Sequence, residues 1–239
     1  MAVELNGQKY EVSEAPRADG RVRFLFERNR IALRPSVLAV AEGVQAGEAG
    51  KFEEAMECFE RAARADRFDP WPTYHRGGTL LHLRRYQEAA DALADTEELA
   101  PGFYHCRSDR WLATMLAARK LDHETFLAVR QLSDGNVPPP RGERVARRAI
   151  EKAPIGLLFL GLGDVLSKMK RTEEAEKAYR KGLEVAEEPD VKTRLLTHLG
   201  ANLADEGEKS RLLGEAIELQ GNLVAAAMAV VALAASRGN

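Results

Sequence analysis

The 239-residue sequence has only two cysteines, Cys58 and Cys106, too few for a disulfide framework. No sign of charge dominates: 35 Lys and Arg meet 37 Asp and Glu, a formal net charge of −2. A general nucleic-acid binder needs a basic surplus to neutralise phosphates, so this balance argues against that class. No apolar stretch reaches the roughly 18 residues needed to cross a bilayer. The longest runs from Leu223 to Ala235. The first twenty residues lack the apolar core of a secretory signal. These absences predict a soluble, cytoplasmic chain with neither a membrane nor a nucleic acid as partner. Aromatics are scarce at 6%, while Ala and Leu are abundant, so the composition leans towards helix. At 45% hydrophobic and 30% charged, the chain is not of the disordered type.

Motifs for catalysis are missing as well. Gly161-x-Gly163 lacks the third glycine of a dinucleotide loop and the strand that should precede it. The Gly50-Lys51 pair has no Ser or Thr after the lysine, as a phosphate loop requires. Neither H-E-x-x-H nor G-x-S-x-G occurs. His75 and His82 lie two helical turns apart, too far to share a metal ion within one helix. The sequence therefore implies no catalytic residue, no metal site and no cofactor, and predicts that the chain is not an enzyme.

What is present is a period. Gly43 recurs as Gly77, Phe52 as Tyr86, Ala55 as Ala89, Phe59 as Leu93 and Ala62 as Thr96. Each pair is thirty-four residues apart. Ala55, Phe59 and Ala62 are spaced i, i+4, i+7, one face of a helix. Gly43 sits one helix earlier, where a missing side chain lets two helices approach. Gly50 suits the left-handed end of the first helix. Each unit is thus a helix–turn–helix, with Phe59 expected in its core. The spacing returns at Gly163, Thr172, Ala175, Tyr179 and Gly182, and in shortened form at Gly200, Gly207 and residues 214–219. Residues 104–133 are read as a degenerate helical pair, with Trp111 at the small-residue position.

These residues resemble the tetratricopeptide repeat (TPR), over about 200 residues in three good units and two poor ones. The resemblance implies an all-α, TPR-like solenoid of helical hairpins. It also implies a non-catalytic scaffold that binds a protein or peptide in its concave groove. The outward face of the first helices carries Val37, Val40 and Val44, then Trp71, Tyr74 and His82, then His105 and Leu112. These eight form the expected partner-binding groove, suited to an apolar or aromatic segment. TPR proteins that hold chaperone C-terminal carboxylates use Lys, Asn and Arg on this face. Here the matching positions are Val40, Val44, His75, His105 and Asp109, so that clamp is absent.

Four segments are expected. Residues 1–34 form an N-terminal extension, where alternation around Asn6-Gly7 predicts a β-hairpin. Residues 35–133 form a first array. Residues 134–153 are a Pro-rich linker and basic helix, with Arg141, Arg144, Arg147, Arg148 and Lys152 mostly on one side. Residues 154–239 form a second array, ending in a helix capped by Asn222 and apolar from Leu223 to Ala235. A helix apolar all round is expected to be buried, against a second subunit or against its own chain. Its many alanines also allow it to tolerate water on one side. Structural self-association as a homodimer is therefore the alternative function.

Overall fold

The computed structural model describes residues 2–5, 8–16, 22–26, 35–219 and 223–237. The Asn6-Gly7 turn and the Asn222 cap lie outside the described residues. The chain forms two compact units, Met1–Pro72 and Thr73–Asn239.

The first unit opens with three strands, β1 (Ala2–Leu5), β2 (Gln8–Pro16) and β3 (Val22–Phe26). They pair antiparallel in the order β1-β2-β3, with Leu5 opposite Gln8 and Pro16 opposite Val22. Helices α1 (Pro35–Glu48) and α2 (Phe52–Ala65) then form a hairpin. Ala55, Phe59 and Ala62 are buried on one stripe of α2, and Phe59 is 2% exposed. A Cβ on Gly43 would fall 2.9 Å from Phe59 Cδ1, so only glycine lets the ring in.

α3 (Pro70–His82) begins at the end of the first unit. The second unit continues with α4 (Tyr86–Leu99), α5 (Cys106–Ala117), α6 (His123–Ser133) and α7 (Pro139–Lys152). α8 (Gly156–Lys168), α9 (Thr172–Val185), α10 (Pro189–Asn202), α11 (Glu206–Leu219) and α12 (Leu223–Arg237) complete it. Most neighbours in sequence are neighbours in space from α6 onward, as a solenoid requires. The glycine-to-bulky pairing recurs: Gly77 faces Leu93, Gly163 faces Tyr179 and Gly200 faces Leu213. The last pair is thirteen residues apart instead of sixteen, which is the shortening read in the sequence.

Four hairpin turns share one hydrogen-bond pattern. Gly50 N donates to Gly47 O and Lys51 N to Ala46 O. The same two bonds recur at Arg84 and Arg85, at Arg119 and Lys120, and at Lys170 and Arg171. Each first residue has a positive φ: 76° at Gly50, 59° at Arg84, 55° at Arg119 and 62° at Lys170. This is the Schellman arrangement, which satisfies the last carbonyls of the first helix.

The turns fix the register, and the third repeat departs from expectation. Arg119 follows Arg84 by thirty-five residues, one more than the sequence period. Counting seven back from the turn gives Leu112, not Trp111, at the glycine position. Counting nine forward gives Ala128 where Phe59, Leu93 and Tyr179 stand elsewhere. Leu112 is fully buried and Ala128 is 8% exposed. Large and small have exchanged sides of the hairpin, which conserves core volume.

The interval from Arg119 to Lys170 is fifty-one residues, a full repeat plus one helix. Residues 134–153, expected as a linker and basic helix between two arrays, are integral to the second unit. α7 packs on both α6 and α8, because Gly142 sits against Val165 and Leu132, and Ala146 is fully buried.

Candidate functional site

The expected groove separates into two different surfaces. In the first unit it is apolar and open. Val37 is 43% exposed, Val40 is half-buried, and Val44 packs partly on the Ala46–Ala55–Phe59 cluster. The loop after α2 adds Phe68, 69% exposed, and the first turn of α3 adds Trp71, 40% exposed. Two aspartates set this loop. Asp66 Oδ1 accepts from Phe68 N and Asp69 Oδ1 from Trp71 N, each at 3.0 Å. Such side-chain-to-backbone bonds fix a turn. Val37, Phe68, Pro70 and Trp71, with the two aspartates, enclose an open cleft of about 560 Å³. Phe68 was not among the expected residues. Its signal was an aromatic set between two turn-forming aspartates.

In the second unit the same helix face is polar, and four expected groove residues change role. Tyr74 is buried, and its hydroxyl donates to Asp109 Oδ2 at 2.7 Å. Its ring packs edge-on against Phe103 and Tyr104. Leu112 is core, for the register reason above. His82 is half-buried, edge-on to Phe126 at 5.0 Å. Burial, then the Arg130 charge, holds its pKa below the ordinary value. His105 precedes α5 and lies beside Tyr104 at 4.0 Å between ring centroids. Burial, helped by Arg194, Arg130 and His198, pushes its pKa down to about 3. Burial pushes Asp109 the other way, above the usual carboxylate range, against the pull of Arg130.

Polar bonds also link α8 to α9 and α10. Asp164 Oδ1 accepts from the Tyr179 hydroxyl at 2.9 Å and meets His198 Nδ1 at 2.6 Å. Ser167 Oγ donates to Asn202 Oδ1 at 2.7 Å. These groups are spent on each other, and the arrangement positions helices. The thiols are unactivated. Burial raises Cys58, and pushes Cys106 up to about 12, where the Sγ donates to Leu93 O. Among the described residues, no three His, Cys, Asp or Glu side chains converge as metal ligands. None of the described helices is long and apolar enough to cross a membrane.

Comparison with known proteins agrees with the hairpin pattern. Two tetratricopeptide repeat family models match, over residues 40–102 and 158–189. Both stretches of the chain thus carry tetratricopeptide repeats. Similar solved structures include residues 41 to the end of MamA from Desulfovibrio magneticus RS-1. That likeness has 18% identity and a TM-score of 0.37, covering 78% of this chain and 95% of that one. A thermophilic TPR protein of Thermus thermophilus has 20% identity and a TM-score of 0.37, covering 83% and 98%. The TPR2AB-domain:pHSP90 complex of yeast Sti1 has 14% identity and a TM-score of 0.43, covering 84% and 98%. No curated protein matches the chain.

Proposed function

We propose that the chain is a non-catalytic scaffold that captures an apolar or aromatic segment of a partner protein on the open cleft of its first unit. The observation that carries this is the outward presentation of Phe68 and Trp71 beside Val37, where the loop after α2 enters α3 and Asp66 and Asp69 fix the turn. Large rings fixed in place lose little entropy on binding and are frequent interface anchors. The two carboxylates at the rim favour a segment with a basic residue next to its apolar anchor. The test is peptide selection from a random library on the purified protein, followed by titration of the selected peptides. Phe68→Ala with Trp71→Ala should weaken the selected peptides by at least about tenfold, or about 1.4 kcal/mol. Undiminished binding would refute the cleft.

A second reading, self-association, is favoured by one observation. α12 packs on α10 and α11 through its alanines, with Ala229 fully buried. Its other side leaves Met228, Val230 and Val231 at 53%, 50% and 69% exposure. Light scattering decides it: a dimer that Met228→Glu with Val231→Glu converts to monomer supports this reading, and a wild-type monomer removes it.

A further inference from the structure

We propose that the extra helix α7, with its neighbour α6, forms a second docking surface for an acidic segment bearing a single large apolar side chain. The surface has two parts, a stripe of arginines and a cleft beside it.

The stripe is Arg141, Arg144 and Arg148, at i, i+3 and i+7 on α7, and all three are exposed. Their guanidinium groups make no hydrogen bond or ion pair with any described residue. Most charged neighbours are matched. Arg147, one turn on from Arg144, binds Glu143, and Lys152 binds Glu124 of α6. Arg171 bridges Glu143 and Glu174, and Arg180 bridges Glu176 and Glu208. Three adjacent cations are thus left on one helix in a chain whose net charge is −2.

The cleft lies between α6 and α7. Leu112 fills the core from α5, so α6 carries Ala128 where the other hairpins have Phe, Leu or Tyr. Across from it α7 presents Ala149, also 8% exposed. Two methyl groups do not fill the space between the helices, and a cleft of about 200 Å³ opens there. Leu127, 44% exposed, and Val145 supply apolar walls, and Arg148 stands at the rim beside the Lys152–Glu124 ion pair, so Arg148 carries the rim's unpaired charge. That volume is several times the roughly 30 Å³ share of one water, so it admits one Leu or Phe side chain.

Apolar walls with a cationic rim select the occupant. Carboxylates spaced along the segment meet the arginines, and the apolar side chain enters the cleft. A polyanion without apolar groups gains only the first part. This surface shares no residue with the Phe68–Trp71 cleft.

The experiment is fluorescence anisotropy with the full chain and a labelled twelve-residue peptide of alternating Glu and Ser with one central Leu. Two comparison peptides replace the acids by Lys or the leucine by Ala, and a single-stranded oligonucleotide serves as the polyanion. The acidic apolar peptide should bind at least about tenfold more tightly than either comparison peptide. Binding should weaken as ionic strength rises from about 0.05 M to about 0.5 M. Arg141→Glu, Arg144→Glu and Arg148→Glu together should abolish it and restore binding of the Lys version. Leu127→Ala should weaken the acidic peptide alone. All three arginines are exposed, and circular dichroism verifies that the variant is folded. Failure of the acidic peptide to bind, indifference to the charge reversal, or equal binding of the alanine peptide would overturn the proposal. So would oligonucleotide binding that is tighter and insensitive to Leu127→Ala.

Discussion

Asp190 Oδ2 accepts a hydrogen bond at 3.0 Å from the backbone amide of Ser108, a residue 82 positions earlier. Asp190 is 1% exposed and lies in the first turn of α10, and Ser108 lies in the first turn of α5. The carboxylate therefore caps a helix other than its own, where free amides and the helix dipole favour negative charge. Beside it, Trp111 Nε1 donates to Glu187 Oε2 at 3.3 Å. Asp190→Ala would leave a buried amide unpaired and should destabilise the protein by about 1–3 kcal/mol. Asp190→Asn keeps an acceptor and should recover part of this. Urea denaturation of the three proteins checks it, and a loss below about 0.5 kcal/mol in the Ala variant contradicts the capping role.

Gly163→Ala should be the most damaging of the small helix substitutions. Tyr179 is 1% exposed, and its hydroxyl is held by Asp164, so the ring cannot withdraw. Overpacking of this kind costs about 1–3 kcal/mol, against a gain near 1 kcal/mol in helix propensity. Thermal unfolding should show a net loss. Gly78→Ala, where an added Cβ meets nothing within 4 Å, should not.

The turn residues give the opposite sign. Arg84, Arg119 and Lys170 adopt left-handed backbone angles that cost a side-chain-bearing residue about 1–2 kcal/mol. Replacement of each by Gly removes that strain but adds freedom to the unfolded chain, so each should stabilise by about 0.5–1 kcal/mol. Denaturant midpoints measure this, and destabilisation at all three would contradict the turn geometry.

Stability should fall in mild acid. His105 has its pKa lowered from 6.5 to about 3 in the folded state, chiefly by burial. Below about pH 6.5 the unfolded chain takes up a proton there that the folded chain refuses. Stability from this group is full above that pH and is lost as pH falls towards 3, by at most about 1.4 kcal/mol per pH unit. His82 and His123 are lowered too and act in the same direction. Asp109, raised above its ordinary value, opposes them at the acid end. His105→Gln should flatten the slope between about pH 6.5 and 4, and an unchanged profile would show that His105 carries none of it.

The repeating hairpin was legible in the sequence because it is a local property. Phe59, Leu93 and Tyr179 lie on the inner stripe of their helices, and the glycine sixteen residues before each makes room for it. Helical spacing alone reveals that. The exposed valine and tryptophan of the first unit were legible for the same reason. Phe68 was missed because a loop residue has no periodicity.

What the sequence determined, then, is which face of each helix packs against its hairpin partner, since this depends only on positions three, four and seven residues apart. The tertiary structure decided the rest. The one-residue slip at Arg119 moved Leu112 from the expected binding face into the core and put Ala128 where Phe59, Leu93 and Tyr179 stand in the other hairpins. Neighbouring helices turned Tyr74, His105 and Asp109 into a partly buried polar set. The meeting of α5 with α10 accumulates from small rotations between the helices that separate them, and no motif in the chain encodes that sum.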